Sequence, residues 1–319
     1  SGQGSQRVNM ARDLFVAFPR MRRLLAQNKE YEKIIFPNTA FYEETKKEQH
    51  KTITDTRNAQ PLLGVVDFAI SAFLRSIDII PDMAAGHSYG EIPALCFAGV
   101  FSPDDLVSIS RERALSILNA VGDDKGKMIA VNLPQEDLNV LLEGETEVWA
   151  VNFNSHKQTV LAGSTTGLTS FMEKLAKNNV GYKELNVACA FHSPLLSKSK
   201  DLFGKVISKI DFSDPVLPVW SNTTSKHYPQ KNSEIKERLA DHLGKPGLFT
   251  KEVENMYADG ARIFIEAGPG SVLTSLVKSI LGEDKVLTID TENKALNGVR
   301  YHLHASATYI ANGNTDSIE

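Results

Sequence analysis

Ser88 lies in the pentapeptide Gly86-His87-Ser88-Tyr89-Gly90, which fits G-x-S-x-G. The chemistry this spacing suits is nucleophilic attack on a carbonyl carbon. Glycines on both sides permit a sharp strand-to-helix turn that exposes the serine hydroxyl above a sheet. The N–H of the next residue, Tyr89, then faces the oxyanion that attack creates. Ala84-Ala85 before the turn and a short helical pattern after it supply the context.

A serine nucleophile needs a base, and the chain has eight histidines. His87 is next to Ser88, so its side chain points elsewhere and reads as structural. His50, His227 and His242 sit in polar stretches and read as solvated. His156 follows Asn154-Ser155 in a hairpin turn, and His302 and His304 fall on the last helix. His192 follows the small-residue run Ala188-Cys189-Ala190 and Phe191, at the exit from an inserted unit. Clefts form at such hinges, so His192 leads, but the residues alone leave the other candidates open.

The elements that must hold these groups alternate between helix and strand. Residues 62–74 are almost wholly apolar and read as a buried helix. Residues 40–60 are polar and read as a solvated helix or loop. The helix after the elbow ends at Gly99, a residue that takes the left-handed cap conformation cheaply. Ser102-Pro103-Asp104-Asp105 then opens a helix to about Val121, with serine as cap, proline first and acids in the first turn.

From residue 127 the order changes. Strands are expected at 128–133, 147–154, 158–164 and 182–187, and helices at 134–144 and 165–179. That β-α-β-β-α-β order is the ferredoxin-like pattern. The reading is therefore an α/β protein of two parts. A large α/β-hydrolase-like unit with a parallel sheet covers 1–126 and 189–319, and a small ferredoxin-like subdomain at 127–188 is inserted into it. In the large unit, helices are expected at 194–209, 232–243 and 271–281, and strands at 215–222, 261–266 and 286–290. The closing helix should place Val299, Leu303, Ser306 and Ile310 on one stripe and stop at Gly313.

Composition narrows the function. The 319 residues are 42% hydrophobic and 23% charged, an ordinary globular balance. Lys plus Arg number 35 against 39 Asp plus Glu, a net charge of −4 that argues against a nucleic-acid partner. Cys96 and Cys189 are the only cysteines, too few for a zinc or disulfide framework. A reduced, cytoplasmic setting is the expectation. No apolar run approaches ~18 residues, and no signal peptide is visible, so no membrane partner is expected.

With these residues in hand, a resemblance emerges. Gly86-His87-Ser88-Tyr89-Gly90-Glu91 is similar to the GHSxGE motif of malonyl-CoA:acyl-carrier-protein transacylases and of polyketide and fatty acid synthase acyltransferase domains. Gly2-Gln3-Gly4-Ser5-Gln6 resembles the family's early GQGSQ, and Ala59-Gln60-Pro61 its TQPA segment. Val151-Asn152-Phe153-Asn154-Ser155, Ala190-Phe191-His192-Ser193 and Glu266-Ala267-Gly268-Pro269-Gly270 resemble later family motifs. Arg113 stands thirteen residues after Val100, where the family carries a carboxylate-binding arginine. Arg111 competes on helical spacing, and the spacing of the family motif favours Arg113. The matches run in order from residue 2 to 281. Within the family, the segments SGQGSQ, DTRNAQP and GHSYGE look most like malonyltransferase domains of polyunsaturated-fatty-acid synthases and iterative, enediyne-type polyketide synthases.

The resemblance implies roles. Ser88 is the nucleophile and His192 the general base, then acid. Backbone carbonyls orient the histidine, and Lys245 occupies that position where the family often has asparagine. The N–H groups of Tyr89 and Gln3 form the oxyanion hole. Arg113 grips the malonyl carboxylate with two parallel hydrogen bonds. At about 1.5–3 kcal/mol, such charge-assisted bonds give roughly ten- to a hundredfold preference for malonyl over acetyl. Gln60 lines the site, and Phe191 crowds the space a methylmalonyl branch needs. No bound cofactor is implied. Malonyl-CoA, a coenzyme A thioester, is the substrate, and phosphopantetheine arrives on the partner, an acyl carrier protein.

Two other classes compete. A hydrolase with the same Ser/His pair would clear stalled acyl groups, but has less use for a carboxylate clamp. A docking module without catalysis would not need both Ser88 and His192. The start at Ser1, inside the first motif, is the expectation for a domain excised from a multienzyme with neighbouring synthase domains. Because the family's carrier proteins are acidic, a local basic patch near the cleft is expected despite the net −4.

Overall fold

The computed structural model describes residues 1–292 and 298–311. Its first third is helical, with helices Arg12–Ala17, Arg23–Gln27, Lys29–Ile35 and Glu43–Thr54 leading to the 21-residue helix Thr56–Ser76. The Asp55 carboxylate accepts the Arg57 N–H at 2.9 Å, satisfying a donor that the first helical turn leaves free. Leu62, Leu63, Val65, Val66 and Ile70 are all fully buried and form a broad apolar face on this helix. It packs on Glu91–Phe97 and Pro103–Ala120, together with the flanking helices. The expected caps are present. Gly99 has φ +79°, and Ser102 Oγ accepts the Asp104 N–H at 3.0 Å.

Strands β1 (Lys127–Val131), β2 (Val148–Ser155), β3 (Gln158–Gly163) and β4 (Tyr182–Glu184) form one antiparallel sheet in the order β2-β3-β1-β4. Helices Gln135–Leu142 and Thr165–Lys177 connect them. Because side chains alternate along a strand, the sheet presents two apolar faces. Ile129, Val131, Val148 and Leu161 pack on Leu138, Leu168, Phe171 and Leu175 of these helices. Met128, Val151, Val160 and Ala162 form the other face, which packs on Ala190, Phe191 and Leu195. The same edge fastens to a distant loop: Phe153 N–H donates to the Gly247 carbonyl, and Gly247 N–H to the Val151 carbonyl, both at 2.8 Å.

The remainder pairs less than expected. Strands β5 (Trp220–Ser221) and β6 (Lys226–His227) are a short antiparallel pair. Strands β7 (Ile263–Glu266) and β8 (Leu287–Asp290) are parallel, with Ile263 opposite Leu287. Ala84 makes a single parallel bridge to Val219. The strand expected over 215–222 shrinks because Pro215 and Pro218 have no N–H to contribute to a ladder. Helices Ser197–Ile207, Asn232–Asp241, Val272–Leu281 and Gly298–Ala311 occupy expected places. Phe249–Ala258 is an additional helix whose buried Phe249, Val253 and Met256 are separated by charged residues. On the last helix Ser306 is buried and Val299 half-buried. The side chains of Leu303 and Ile310, and the stop at Gly313, lie outside the described residues.

Candidate active site

The pentapeptide forms the turn its glycines allow. A 3-10 turn at Ser88–Gly90 runs directly into the Glu91–Phe97 helix. A Cβ on Gly86 would lie 2.0 Å from the Gly90 backbone carbon, so only glycine fits there. Ser88 itself has φ +52°, a left-handed conformation that surrounding structure must hold. Its N–H donates to Asn222 Oδ1 at 2.7 Å, and its Oγ lies 2.7 Å from His192 Nε2.

Chain folding alone brings His192 there, 104 residues away. Its Nδ1 faces the carbonyls of His242 at 3.0 Å and Lys245 at 3.1 Å. A carbonyl only accepts, so Nδ1 carries the proton and Nε2 is free to take one from Ser88. Burial pushes the imidazole pKa down to about 3, and repulsion from Arg113 adds to it. The ring is therefore neutral at pH 7, the state a base requires.

The N-terminal segment covers the elbow. A Cβ on Gly2 would come within 2.9 Å of the His87 carbonyl oxygen. The backbone N–H groups of Gln3 and Tyr89 donate to no acceptor among the described residues. The Gln3 side chain donates from Nε2 to Thr56 Oγ1 at 3.0 Å and accepts from Gln60 Nε2 at 3.1 Å. Gln60 is fully buried, and its Oε1 has no partner.

Arg113 and Arg111, indistinguishable by helical spacing, differ in the fold. Arg111 is exposed, whereas Arg113 is 2% exposed. No carboxylate pairs with Arg113 among the described residues, and its Nε has no acceptor. Its guanidinium carbon stands 5.8 Å from the centre of the Tyr89 ring. Tyr89 is in turn fully buried, its hydroxyl 2.6 Å from Ser110 Oγ. Burial lowers the Arg113 pKa to about 10, which leaves it a cation at neutral pH. Buried Glu91 attracts it from beyond ion-pair distance, but no direct carboxylate contact offsets its desolvation, so this position is suited to an anionic ligand.

Phe191, half-buried, bridges the main core and the small sheet beside His192. Lys245 contributes its carbonyl while its side chain is exposed. His87 is structural as expected, with Nε2 2.8 Å from Asn154 Oδ1. His242 corrects the sequence reading: it is fully buried, not solvated, and its ring centre is 5.1 Å from that of His192. Buried Leu239, Ala240, His242 and Leu243 share a helical face, a spacing that could have revealed it. Asn222 and Glu252 carry no signal in the sequence reading. Asn222 Nδ2 donates to Glu252, and Glu91 accepts from the Tyr228 hydroxyl. All of Asn222, Glu91 and Glu252 are fully buried.

The model of the acyl transferase domain family matches residues 1–299. A polyunsaturated fatty acid synthase polypeptide from Thraustochytrium sp. (strain ATCC 26185 / S-3) is 32% identical over 317 residues. The match covers 92% of this chain and 11% of that polypeptide, so the chain spans about a tenth of that relative. The malonyl CoA-acyl carrier protein transacylase of Bacillus subtilis (strain 168) is 32% identical over 295 residues, covering 90% of this chain and 91% of that enzyme. Among solved structures, the corresponding transacylase of Clostridium perfringens superposes with TM-score 0.85 at 25% identity, covering 97% and 96%. A malonyl-transacylase solved with a type II polyketide synthase acyl-carrier protein superposes with TM-score 0.83 at 26% identity, covering 95% and 97%.

Proposed function

The chain belongs to the acyl transferase domain family, and on that premise we propose that it moves a malonyl group from malonyl-CoA to an acyl carrier protein. The observation that carries the substrate is Arg113, a buried guanidinium without a carboxylate partner beside the Ser88–His192 pair. Malonyl-CoA brings the missing carboxylate, and acetyl-CoA does not.

The reaction is ping-pong acyl transfer. Ser88 Oγ attacks the thioester carbonyl while His192 Nε2 takes its proton. The oxyanion rests on the N–H groups of Tyr89 and Gln3. His192 returns the proton to the departing coenzyme A thiolate. The carrier protein's phosphopantetheine thiol then attacks the acyl-serine, with the same histidine as base, and leaves as the malonyl thioester. The carbonyls of His242 and Lys245 hold the imidazole tautomer throughout. Gln60 lines the acyl pocket, and Phe191 walls off the space beside the malonyl methylene. No bound cofactor enters these steps.

The large unit (1–126, 189–319) supplies Ser88, His192 and Arg113, and 127–188 acts as a ferredoxin-like small subdomain over them. Two free, buried cysteines accord with a reduced, cytoplasmic setting. The synthase relative supports neighbouring synthase domains as partners, and the complexed structural neighbour supports an acyl carrier protein as acceptor.

Intact-protein mass spectrometry after brief mixing with malonyl-CoA, acetyl-CoA or methylmalonyl-CoA tests the proposal. A malonyl adduct on wild type, absent from Ser88→Ala, is expected. Rapid release of free malonate without adduct would replace it with hydrolysis. Equal labelling by acetyl-CoA and malonyl-CoA would remove the role of Arg113.

A further inference from the structure

Asn222 has no part in the reaction as described, yet four of its polar atoms are committed at the elbow. It follows β5, whose neighbour Val219 bridges Ala84 just ahead of the turn. Its Oδ1 accepts the Ser88 N–H at 2.7 Å, and its Nδ2 donates to Glu252 Oε2. Its backbone N–H donates to Glu91 Oε1 at 2.5 Å, and its carbonyl accepts the Leu248 N–H at 2.8 Å.

The amide has one workable orientation. Flipped, it would turn its NH2 toward the Ser88 N–H, donor against donor. Burial and the nearby Glu91 raise the Glu252 pKa well above the usual carboxylate range, which supports a neutral pair here. Ser88 meanwhile holds a left-handed φ of +52° that a serine does not choose unaided. Among the described residues its N–H is the one backbone N–H of the elbow with a side-chain acceptor on another segment, while the Tyr89 N–H stays open.

Resting on the acyl-serine reading above, we propose that Asn222 is a positioning residue for the nucleophile. It clamps the Ser88 N–H so that Oγ keeps its 2.7 Å contact with His192. By occupying that N–H it leaves the oxyanion to Tyr89 and Gln3. Glu252 acts one step further back, accepting from the amide NH2.

The test compares Asn222→Ala, Asn222→Asp and the exchange pair Asn222→Asp/Glu252→Gln. The readout is labelling of Ser88 by a fluorophosphonate probe, which needs an activated serine but no thioester. Asn222→Ala should slow labelling by about 100-fold, the scale of a misplaced reacting group. KM for malonyl-CoA should change by less than about threefold, because the interaction lost is not one with bound substrate. Asn222→Asp keeps an acceptor for the Ser88 N–H, and the protonated Glu252 can donate to its other oxygen, so it should label well above Asn222→Ala. The exchange pair again opposes a donor to an acceptor, and should recover labelling to within about tenfold of wild type.

Melting curves separate loss of fold from loss of position. A folded Asn222→Ala that labels at the wild-type rate overturns the proposal. So does an exchange pair that melts like wild type but labels about 100-fold more slowly than it, since this pair keeps the acceptor for the Ser88 N–H. If Asn222→Ala does not fold, the exchange pair decides by itself. Wild type that labels with the probe yet accepts no malonyl would sink the acyl-transfer reading while leaving Asn222 in its role.

Discussion

Two buried polar regions meet at the elbow, and they are satisfied differently. Around the nucleophile, Ser88, His192 and Asn222 each face a partner within 3.1 Å, from loops far apart in sequence. Arg113 beside the Tyr89 ring and Gln60 beside Gln3 are just as buried, yet Arg113 Nε and Gln60 Oε1 have no partner among the described residues. A buried polar atom without a partner costs free energy. The catalytic contacts of the first region are made within the chain, although Glu252 Oε1 and both ring nitrogens of His242 behind them have no partner among the described residues. Under the proposed function, the first region carries the chemistry, and the second recognises a ligand that completes it.

The largest effect should come from breaking the catalytic side. His192→Ala should lower the rate of acyl-enzyme formation by about 100- to 10,000-fold, the usual contribution of a general base. Stopped-flow mixing with malonyl-CoA followed by mass spectrometry measures it. A loss confined to KM would contradict that assignment.

The recognition side should respond in selectivity instead. Arg113→Met should cut kcat/KM for malonyl-CoA by about ten- to a hundredfold while leaving acetyl-CoA turnover nearly unchanged. The same substitution removes an unpaired buried charge, so the ligand-free protein should become more stable. About 1 kcal/mol, or roughly 2–4 °C in melting temperature, is the expected gain. A lower melting temperature would mean that the fold, and not a substrate, compensates the guanidinium.

The two regions also communicate through charge. The His192 pKa is depressed, by burial first and Arg113 second. The acid limb of kcat/KM for malonyl-CoA should therefore lie well below the ordinary histidine value of about 6.5. Removing the arginine charge takes away a repulsion, so Arg113→Met should move that limb upward. Stability follows the same linkage. The unfolded chain protonates this histidine near pH 6.5 and the folded chain only near pH 3. The stabilising contribution is thus complete above about pH 6.5 and is lost as pH falls toward 3. Equilibrium unfolding of wild type and His192→Ala across that window isolates it.

The smallest selectivity effect should be at Phe191, between the main core and the small sheet. Phe191→Ala should improve methylmalonyl-CoA relative to malonyl-CoA by about tenfold, the scale of one methyl-sized group in a pocket. A competition assay with both thioesters reads the ratio. An unchanged ratio would make Phe191 a core residue only.

Much of this is legible in local sequence. The elbow, the Ser102 cap and the β-α-β-β-α-β order at 127–188 all depend on neighbours a few residues apart, and each appears where its pattern places it. The strand expected over 215–222 is too long because apolar character says nothing of the donors its prolines lack. His242 reads as solvated because a polar stretch conceals a buried helical face, and helix Phe249–Ala258 is hidden for the same reason.

The sequence by itself determined which residues could act: a serine in a glycine-flanked turn, a histidine at a hinge, two arginines two residues apart. The tertiary structure decided which of them come together. It buried Arg113 and exposed Arg111, and set His192 against Ser88. It also brought Asn222 to a backbone N–H 134 residues away. Motifs encode local conformation, whose physics spans a few residues. The partner of a buried polar group is instead set by which segments the core packs together, and no short pattern records that.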